Sequence, residues 1–238
     1  MINTTAHLVH KYDSPSLWVS YLIFQVEDLL EFDEGQFVMI ETEIQWKTMK
    51  NPYSIATTNK EMLDEKHIGI VVKKTSDHGM SHWMTHDISL WDSVKVKWPV
   101  GHYTNNNVQQ NYLFVSIWSG LSPNFGLFKH LVYENQSYWT IVNIFAERFA
   151  EHIIPHVHEI FTEHWQKNIH NFFYLSQEKN IPQWFRKWYV QEWLEEAVEL
   201  LWTNTSCFLC GKPEMVDDVR SKLEYLWVAK QDITFEKY

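Results

Sequence analysis

A polar segment from Thr104 to Asn111 divides the chain into two parts with different hydrophobic patterns. The segment consists mainly of Asn and Gln and cannot bury much apolar surface, so we expect a linker there. Before it, short apolar runs with partial alternation predict strands over 7–12, 17–26, 36–43, 53–57, 68–73 and 93–97. A helix is expected over 79–86, with Ser81 as its cap. Residues 1–104 are therefore predicted to form an antiparallel β-barrel domain.

Strands and helices alternate in the second part of the chain, residues 112–238. Apolar runs of strand length cover 112–117, 140–145, 169–175 and 206–209. The longer helical stretches between and after them cover 125–134, 150–164, 190–201 and 214–225. This alternation predicts an α/β domain, in which helices cover both faces of a doubly wound parallel sheet. The two domains together predict a cleft for a ligand between them, beyond the carboxyl ends of the parallel strands.

Charge, cysteine content and hydropathy exclude several functional classes. The formal net charge of -10 argues against a general nucleic-acid surface. Two cysteines are too few for a disulfide framework or for an iron–sulfur cluster with four thiolate ligands. No run of eighteen apolar residues occurs, and residues 1–12 lack the features of a signal peptide. We therefore expect a cytoplasmic protein without nucleic-acid, membrane or iron–sulfur partners.

Four short motifs fall beside the expected cleft. They are Asn51-Pro52-Tyr53-Ser54, Trp98-Pro99-Val100-Gly101, Trp118-Ser119-Gly120-Leu121-Ser122-Pro123 and Cys210-Gly211-Lys212-Pro213-Glu214-Met215. Their order and spacing resemble the signatures of the ferredoxin–NADP reductase superfamily. Those signatures read Arg-x-Tyr-Ser, Gly-Pro-x-Gly, Gly-[Thr/Ser]-Gly-[Leu/Ile]-x-Pro and Cys-Gly-x-Pro-x-Met. The resemblance covers essentially the whole chain and implies a flavin-binding barrel over 1–104 and an NAD(P)-binding α/β domain over 112–238.

The resemblance implies an enzyme that passes hydride from NADPH or NADH to FAD or FMN. Electrons would then go to an acceptor such as ferredoxin, flavodoxin or an oxygenase partner. It assigns Ser54, Cys210 and Glu236 to catalysis, with Ser54 near the flavin N5 and Cys210 near the nicotinamide. It places Tyr53 and Tyr238 against the flavin. The residues implied to bind cofactors are Asn51, Tyr53, Ser54, Val72, Lys73, Gly79, Met80, Ser81, Ser119, Gly120, Pro123, Arg148, Gly211, Met215 and Tyr238.

Departures from the superfamily pattern cluster at positions that would face the cofactors. Asn51 stands where the superfamily has an Arg that holds the flavin phosphate, and Trp98 and Trp118 stand where it has Gly. The chain has 13 Trp and only 7 Gly, although Gly usually makes up about 7% of residues. An indole at Trp118 would obstruct the approach of the dinucleotide to the backbone. The alternative hypothesis is a folded scaffold of the same family with impaired or no cofactor binding, either non-catalytic or altered in sequence.

Histidines and the paired cysteines raise a metal hypothesis, which the sequence disfavours. His152 and His156 are spaced to share one helix face, but no His-Glu-x-x-His motif occurs and Pro155 interrupts the segment. Cys207 and Cys210 lack a second ligand pair and the helix-start position of a redox motif. We predict a solvated polar face for these histidines and no metal site.

Overall fold

A computed structural model describes residues 3–106, 108–134, 138–164, 168–187, 194–201, 204–226 and 228–238. None of the helices in these ranges is both long enough and apolar enough to cross a membrane.

The first half of the chain forms a six-stranded antiparallel barrel. Its strands are β1 (Asn3–Asp13), β2 (Val19–Val26), β3 (Phe37–Ile44), β4 (Lys47–Ser54), β5 (His67–Lys73) and β6 (Ser93–Val100). They pair in the order β4-β3-β6-β1-β2-β5. A bridge between Ile55 and Ile70 joins the two outer strands and closes the barrel. Alternate side chains such as Leu22, Phe24 and Ile40 point inwards and are fully buried. The predicted barrel is therefore confirmed.

The strand predicted over 53–57 is displaced towards the N-terminus. β4 spans Lys47–Ser54 and pairs with β3 through a two-residue turn at Gln45 and Trp46. Both turn residues have positive φ, 50° and 65°, as a tight hairpin of this kind requires. The sequence carries no Asn-Gly or Asp-Gly signal at this turn, and the outer residues of β4 are polar. The hydrophobic pattern therefore did not predict a strand over these residues.

Two helical features of the barrel differ from the prediction. The helix predicted over 79–86 is a single turn, α2 (Met80–His82), which continues as a π-helical turn over Trp83–Asp87. It begins at Gly79, and Ser81 does not cap it, because the Ser81 hydroxyl accepts a hydrogen bond from the Thr75 backbone instead. A further helix, α1 (Asn59–Glu65), was not predicted.

The second half of the chain forms the predicted doubly wound sheet. Its strands are β7 (Asn111–Ile117), β8 (Thr140–Glu147), β9 (Ile169–Leu175), β10 (Arg186–Lys187), β11 (Thr205–Gly211) and β12 (Ile233–Lys237). They are parallel, in the order β10-β9-β8-β7-β11-β12. The helices are α3 (Leu121–Tyr133), α4 (Pro155–Glu163), α5 (Leu194–Leu201) and α6 (Pro213–Tyr225). α3 and α4 pack on one face of the sheet, and α5 and α6 pack on the other.

Boundaries in this half also differ from the prediction, beginning with α3, which starts at Leu121 and not at residue 125. The helix expected over 150–164 begins at Pro155, preceded by a 3-10 turn over Ala150–His152, because proline suits the first turn of a helix and not its interior. The first four residues of the helix expected over 190–201 lie outside the described residues. Thr104 and Asn111, at the two ends of the expected linker, are both buried.

The start of α3 is fixed to the barrel by Ser122. Its hydroxyl donates to the Ser54 carbonyl oxygen at 2.6 Å and accepts from the Val71 amide at 3.0 Å. Tyr21 of the barrel packs edge-on against Phe125 of α3 within one continuous apolar core. The strand order reverses at β7, and in open parallel sheets that point forms a crevice at the carboxyl ends of the strands. The crevice therefore opens directly onto strands β4 and β5.

Candidate active site

A cleft of about 430 Å³ lies where the barrel meets the crevice of the parallel sheet. Its volume is within the usual range for small-molecule and cofactor sites. Strands β4 and β5, the first turn of α3 and the C-terminal strand all contribute side chains. Nine of the residues predicted to bind cofactors or act in catalysis line it, namely Asn51, Tyr53, Ser54, Val72, Lys73, Ser81, Ser119, Glu236 and Tyr238. The structure thus brings together residues from both ends of the chain.

Tyr53 presents an unsatisfied polar group at this cleft. Its hydroxyl is buried and has no hydrogen-bond partner among the described residues. Burial raises the pKa of the Tyr53 hydroxyl well above its usual value. A buried hydroxyl without a partner costs about 1–3 kcal/mol. A bound molecule with a polar edge would remove this cost, so the cleft has the character of a ligand site.

Ser54, Cys210 and Glu236 form a connected group at one end of the cleft. The parallel register of β11 and β12 places Cys210 directly beside Glu236, and the Cys210 thiol donates to Glu236 Oε2 at 3.9 Å. Burial raises the pKa of the Glu236 carboxyl, and a hydrogen bond with Ser54 offsets part of that rise. Burial also raises the pKa of Cys210 well above its usual value. The thiol therefore stays protonated. Cys210 contacts Glu236, and Glu236 lines the cleft.

Tyr238 closes the same end of the cleft from the C-terminus of the chain. About half of its surface is exposed, but its hydroxyl is enclosed between Gly120 and Cys210. This enclosure raises the pKa of the hydroxyl well above its usual value. Part of the Tyr238 ring is therefore exposed, whereas its hydroxyl is held in a fixed position.

Gly120 and Gly211 allow the close approach of two backbones next to Tyr238. A Cβ on Gly120 would lie 2.2 Å from the Cys210 carbonyl oxygen. Gly211 has a φ of +152°, and a Cβ there would meet Ile117 at 2.4 Å. Neither glycine tolerates a side chain without a clash, and their predicted role in cofactor binding stays a prediction.

Trp118 lies at the mouth of the crevice and is surrounded by positive charges. Lys73 Nζ lies 3.0 Å from the centroid of its ring, Lys212 Nζ lies 4.2 Å away, and Arg148 Cζ lies 5.1 Å away. The residue has a φ of +55°, which costs an L-residue roughly 1–2 kcal/mol. The indole thus occupies a strained position at the meeting point of three cationic side chains.

The Glu147 carboxylate lies next to this cationic group. Its side chain is fully buried and contacts His152 Nδ1 at 3.3 Å, while Oε1 has no hydrogen-bond partner among the described residues. Burial raises the pKa of Glu147. The pKa of Lys73 is lowered to about 8, chiefly because burial disfavours the charged amine and also because Arg148 and Lys212 repel it.

Several of the predicted cofactor-binding residues do not line the cleft. Met80 is buried in the barrel core, Pro123 is buried within α3, and Met215 is buried in the core behind the sheet. Gly79 lies at the start of α2 with a φ of +81° and supports the neighbouring turn. The side chain of Trp98 lies outside the described residues.

Sequence reasoning missed seven residues that line the cleft or its mouth, among them Pro52, Val71 and Lys237. Phe37, Thr75 and Ser122 line the cleft, and Lys212 reaches Trp118. Ser122 and Lys212 lie inside motifs quoted above, at positions written as variable, so the signal was present but unassigned. Phe37 and Thr75 carry no local signal, because only the folding of the barrel brings them to the cleft.

Comparisons with known proteins agree with this geometry. The oxidoreductase FAD-binding domain family matches residues 14–105. No curated protein is similar to the chain in sequence.

Solved structures share the fold over nearly the full chain. A ferredoxin NADP+ reductase from Neisseria gonorrhoeae with bound FAD and NADP has a TM-score of 0.83 at 15% identity, covering 99% of this chain and 98% of its own. The FAD/NAD binding domain of a nitric oxide dioxygenase from Vibrio cholerae has a TM-score of 0.82 at 18% identity, covering 99% and 98%. The cytochrome b5 reductase domain of Ulva prolifera nitrate reductase has a TM-score of 0.77 at 19% identity, covering 100% and 97%.

These findings confirm the resemblance that the motifs indicated. Residues 14–105 match the oxidoreductase FAD-binding domain family, and the whole chain shares its fold with the ferredoxin NADP+ reductase and the two FAD-domain structures above.

Proposed function

We propose that the chain is a flavin-dependent oxidoreductase that passes hydride from NADPH or NADH to FAD or FMN and electrons on to an acceptor. The observation that supports this most directly is the cleft itself. It joins Tyr53 and Ser54 from the barrel with Glu236 and Tyr238 from the C-terminal strand. An aromatic ring, a hydroxyl and a protonatable carboxyl around one cleft suit a flat heterocycle with polar edges.

The walls of the cleft fit the ring system of a flavin better than they fit the phosphate of the flavin. Tyr53 and Tyr238 offer aromatic surfaces, and the unpaired Tyr53 hydroxyl offers a hydrogen bond. Asn51 supplies an amide where an arginine would supply a charged, bidentate contact. Lys73 and Lys237 are the cations among the described residues that line the cleft, and Lys237 Nζ pairs with Asp217 at 2.6 Å. When bound, a flavin supplies the hydride-accepting chemistry, and the protein supplies the positioning.

Ser54, Cys210 and Glu236 would manage protons beside the bound flavin. The raised pKa of Glu236 keeps its carboxyl protonated to a higher pH than an exposed glutamate. Ser54 contacts Glu236 and therefore connects this proton to the centre of the cleft. Cys210 remains a neutral thiol and holds Glu236 Oε2 in place. We assign Glu236 as the proton donor or acceptor and Cys210 and Ser54 as the residues that orient it.

Lys73, Arg148 and Lys212 would bind the phosphates of the dinucleotide. They converge beyond the carboxyl ends of β7 and β11, where open parallel sheets bind nucleotides. In the free protein their charges face the Trp118 ring instead. A dinucleotide must therefore displace the indole, and we expect the affinity for NADPH or NADH to be reduced.

The electron acceptor, the domain boundaries and the location complete the proposal. We assign ferredoxin, flavodoxin or an oxygenase component as acceptor, and residues 1–104 and 112–238 as the flavin-binding and NAD(P)-binding domains. The similar structures are a ferredoxin NADP+ reductase, a domain of a nitric oxide dioxygenase and a cytochrome b5 reductase domain, so the fold does not select one acceptor. A cytoplasmic location agrees with two free, buried cysteines.

A second candidate function is a scaffold of the same family with impaired or no cofactor binding. The arrangement at Trp118 favours it, because the indole fills the space at the meeting point of the cations. The absence of an arginine at Asn51 points in the same direction. The two candidates differ in one property, the retention of flavin in the cleft.

Flavin retention tests the proposal. Purified protein is incubated with FAD or FMN and desalted, and its visible absorption spectrum is recorded. We expect a bound flavin in the parent chain and a loss of at least tenfold in affinity for Tyr53→Ala. Tyr225→Ala is the matched control, since Tyr225 is 75% exposed on α6. Colourless parent protein would support the scaffold, and equal losses in both variants would place the flavin elsewhere.

A further inference from the structure

A second group of ionisable side chains lies away from the cleft, where the barrel meets the far end of α3. Glu34 comes from the loop between β2 and β3, and His130 and Glu134 come from the last turn and end of α3. Their i, i+4 spacing places His130 and Glu134 on one face of the helix. One ligand atom from each residue lies within 4.8 Å of the other two. The group borders a cavity of about 740 Å³.

The distances within this group match the edges of a metal coordination sphere. His130 Nδ1 lies 3.4 Å from Glu34 Oε1 and 3.2 Å from Glu134 Oε1. Ligands at zinc bond lengths of about 2.1 Å in a tetrahedron lie about 3.4 Å apart. A single ion between the three side chains would therefore need only small movements of their atoms.

Ion pairs account for only part of the same contacts. His130 Nδ1 faces the Glu34 and Glu134 carboxylates, whereas Glu134 Oε1 and Asn59 Oδ1 are buried without a hydrogen-bond partner in the part of the chain that the structure describes. Asn59 and Glu134 both border the cavity. Buried oxygens that face one space without donors are what a cation would satisfy.

Glu34 is held in position for this role. Its side chain is only 10% exposed, and its Oε1 accepts a hydrogen bond from the Asn59 backbone at 2.8 Å. An acidic side chain this deeply buried is uncommon without a partner of opposite charge. The hydrogen bond to Asn59 fixes the carboxylate towards His130, as bonds from outside the coordination sphere commonly orient metal ligands.

We propose that Glu34, His130 and Glu134 bind one zinc ion and so tie the barrel to α3. An imidazole nitrogen with two carboxylates suits Zn²⁺ and disfavours Ca²⁺ and Mg²⁺, which take oxygen ligands. Water from the open cavity would supply the fourth ligand. α3 carries the site roughly 12 Å along its axis from Ser122, which lines the cleft. The zinc is therefore structural and does not depend on the proposed oxidoreductase function.

The cavity beside the site carries further charge. Asp33, Lys60 and Asp64 are the other charged side chains that border it, so its net charge is negative and suits a cation.

Metal titration of the full chain tests the proposal. Protein treated with a chelator is titrated with Zn²⁺ by calorimetry and with Co²⁺ as a visible probe, each at pH 6, 7 and 8. We expect one equivalent bound and ligand-field bands from Co²⁺. Thermal unfolding should shift upwards by several degrees with zinc present, because the ion binds the folded state.

Variants locate the metal. His130→Ala and Glu34→Gln should each weaken Zn²⁺ binding by roughly a hundredfold or more. His67→Ala is the matched control, since His67 pairs with one carboxylate, Glu65, at 2.7 Å. Circular dichroism confirms folding, and Glu34→Gln preserves the shape of the side chain if His130→Ala unfolds. Absent binding, or equal affinity in Glu34→Gln and parent, would each overturn the proposal.

Discussion

Replacing Trp118 by glycine should restore access of the dinucleotide to the crevice. The indole lies 3.0 Å from Lys73 Nζ and also contacts Lys212 and Arg148. Removing the ring leaves these cations free to contact phosphate oxygens. Glycine also suits the φ of +55° at this position. The substitution therefore changes both the backbone strain and the competition for the cations.

The effects of the substitution on stability sum to a net loss of about 1–2 kcal/mol, whereas its effect on dinucleotide binding is a gain. Relief of the left-handed conformation gains roughly 1–2 kcal/mol, and the greater freedom of unfolded glycine costs roughly 0.5–1 kcal/mol. Lost cation–π contacts cost about 0.5–1 kcal/mol each where exposed. One recovered hydrogen bond between a cation and a phosphate contributes about 2 kcal/mol, which is about thirtyfold in affinity.

Anaerobic reduction of bound flavin by NADPH is the assay for this effect. The NADPH concentration that gives half of the maximal reduction rate should fall about thirtyfold in Trp118→Gly. Trp46→Gly is the matched control, because Trp46 also has positive φ but is 96% exposed at the β3–β4 turn. An unchanged concentration dependence in Trp118→Gly, or an equal change in both variants, would refute the claim that the indole blocks the crevice.

Three further results follow from the same structure. Asn51→Arg should tighten FAD binding about fivefold in equilibrium dialysis. The free energy of a charge-assisted phosphate contact is about 1 kcal/mol larger than the cost of the side-chain entropy that arginine loses. Equal affinity in variant and parent would mean that the phosphate lies elsewhere. Glu236→Gln should slow flavin reduction about hundredfold in stopped-flow measurements and remove its dependence on the raised carboxyl pKa; a parent-like pH profile would exclude Glu236 as the proton carrier. The pKa of His130 is about 9 in the folded protein, above an unfolded value of about 6.5, so its stabilising effect is complete below pH 6.5 and is lost as the pH rises through 9. With chelator present, Tm should fall over that interval in the parent and much less in His130→Gln, and parallel curves would contradict this.

The sequence predicted the architecture because the core depends on many apolar positions. β9 (Ile169–Leu175) matches its predicted range, and most other strands differ by one to three residues. The barrel hairpin escaped prediction because Gln45 and Trp46 take a conformation that usually requires glycine or asparagine. Helix α1 was detectable, since Thr58 and Glu61 form a capping box that the sequence spells as Thr-x-x-Glu.

The cleft was predictable only where the motifs are contiguous. Tyr53 and Ser54 adjoin in sequence, and both line the cleft. The contact between Cys210 and Glu236 depends on the register of β11 against β12, which the sequence does not specify. The grouping of Glu34 with His130 likewise depends on how α3 docks on the barrel. Long-range docking of this kind leaves no local pattern in a single sequence.

The central claim is that this cleft holds a flavin that NAD(P)H can reduce. Its most direct test is the visible absorption spectrum of the purified chain before and after addition of FAD, and then of NADPH, under anaerobic conditions. We predict that flavin bands persist after desalting and bleach when NADPH is added at high concentration. A colourless protein, or bound flavin that no concentration of NADPH or NADH bleaches, would contradict the claim and leave a scaffold with the same fold.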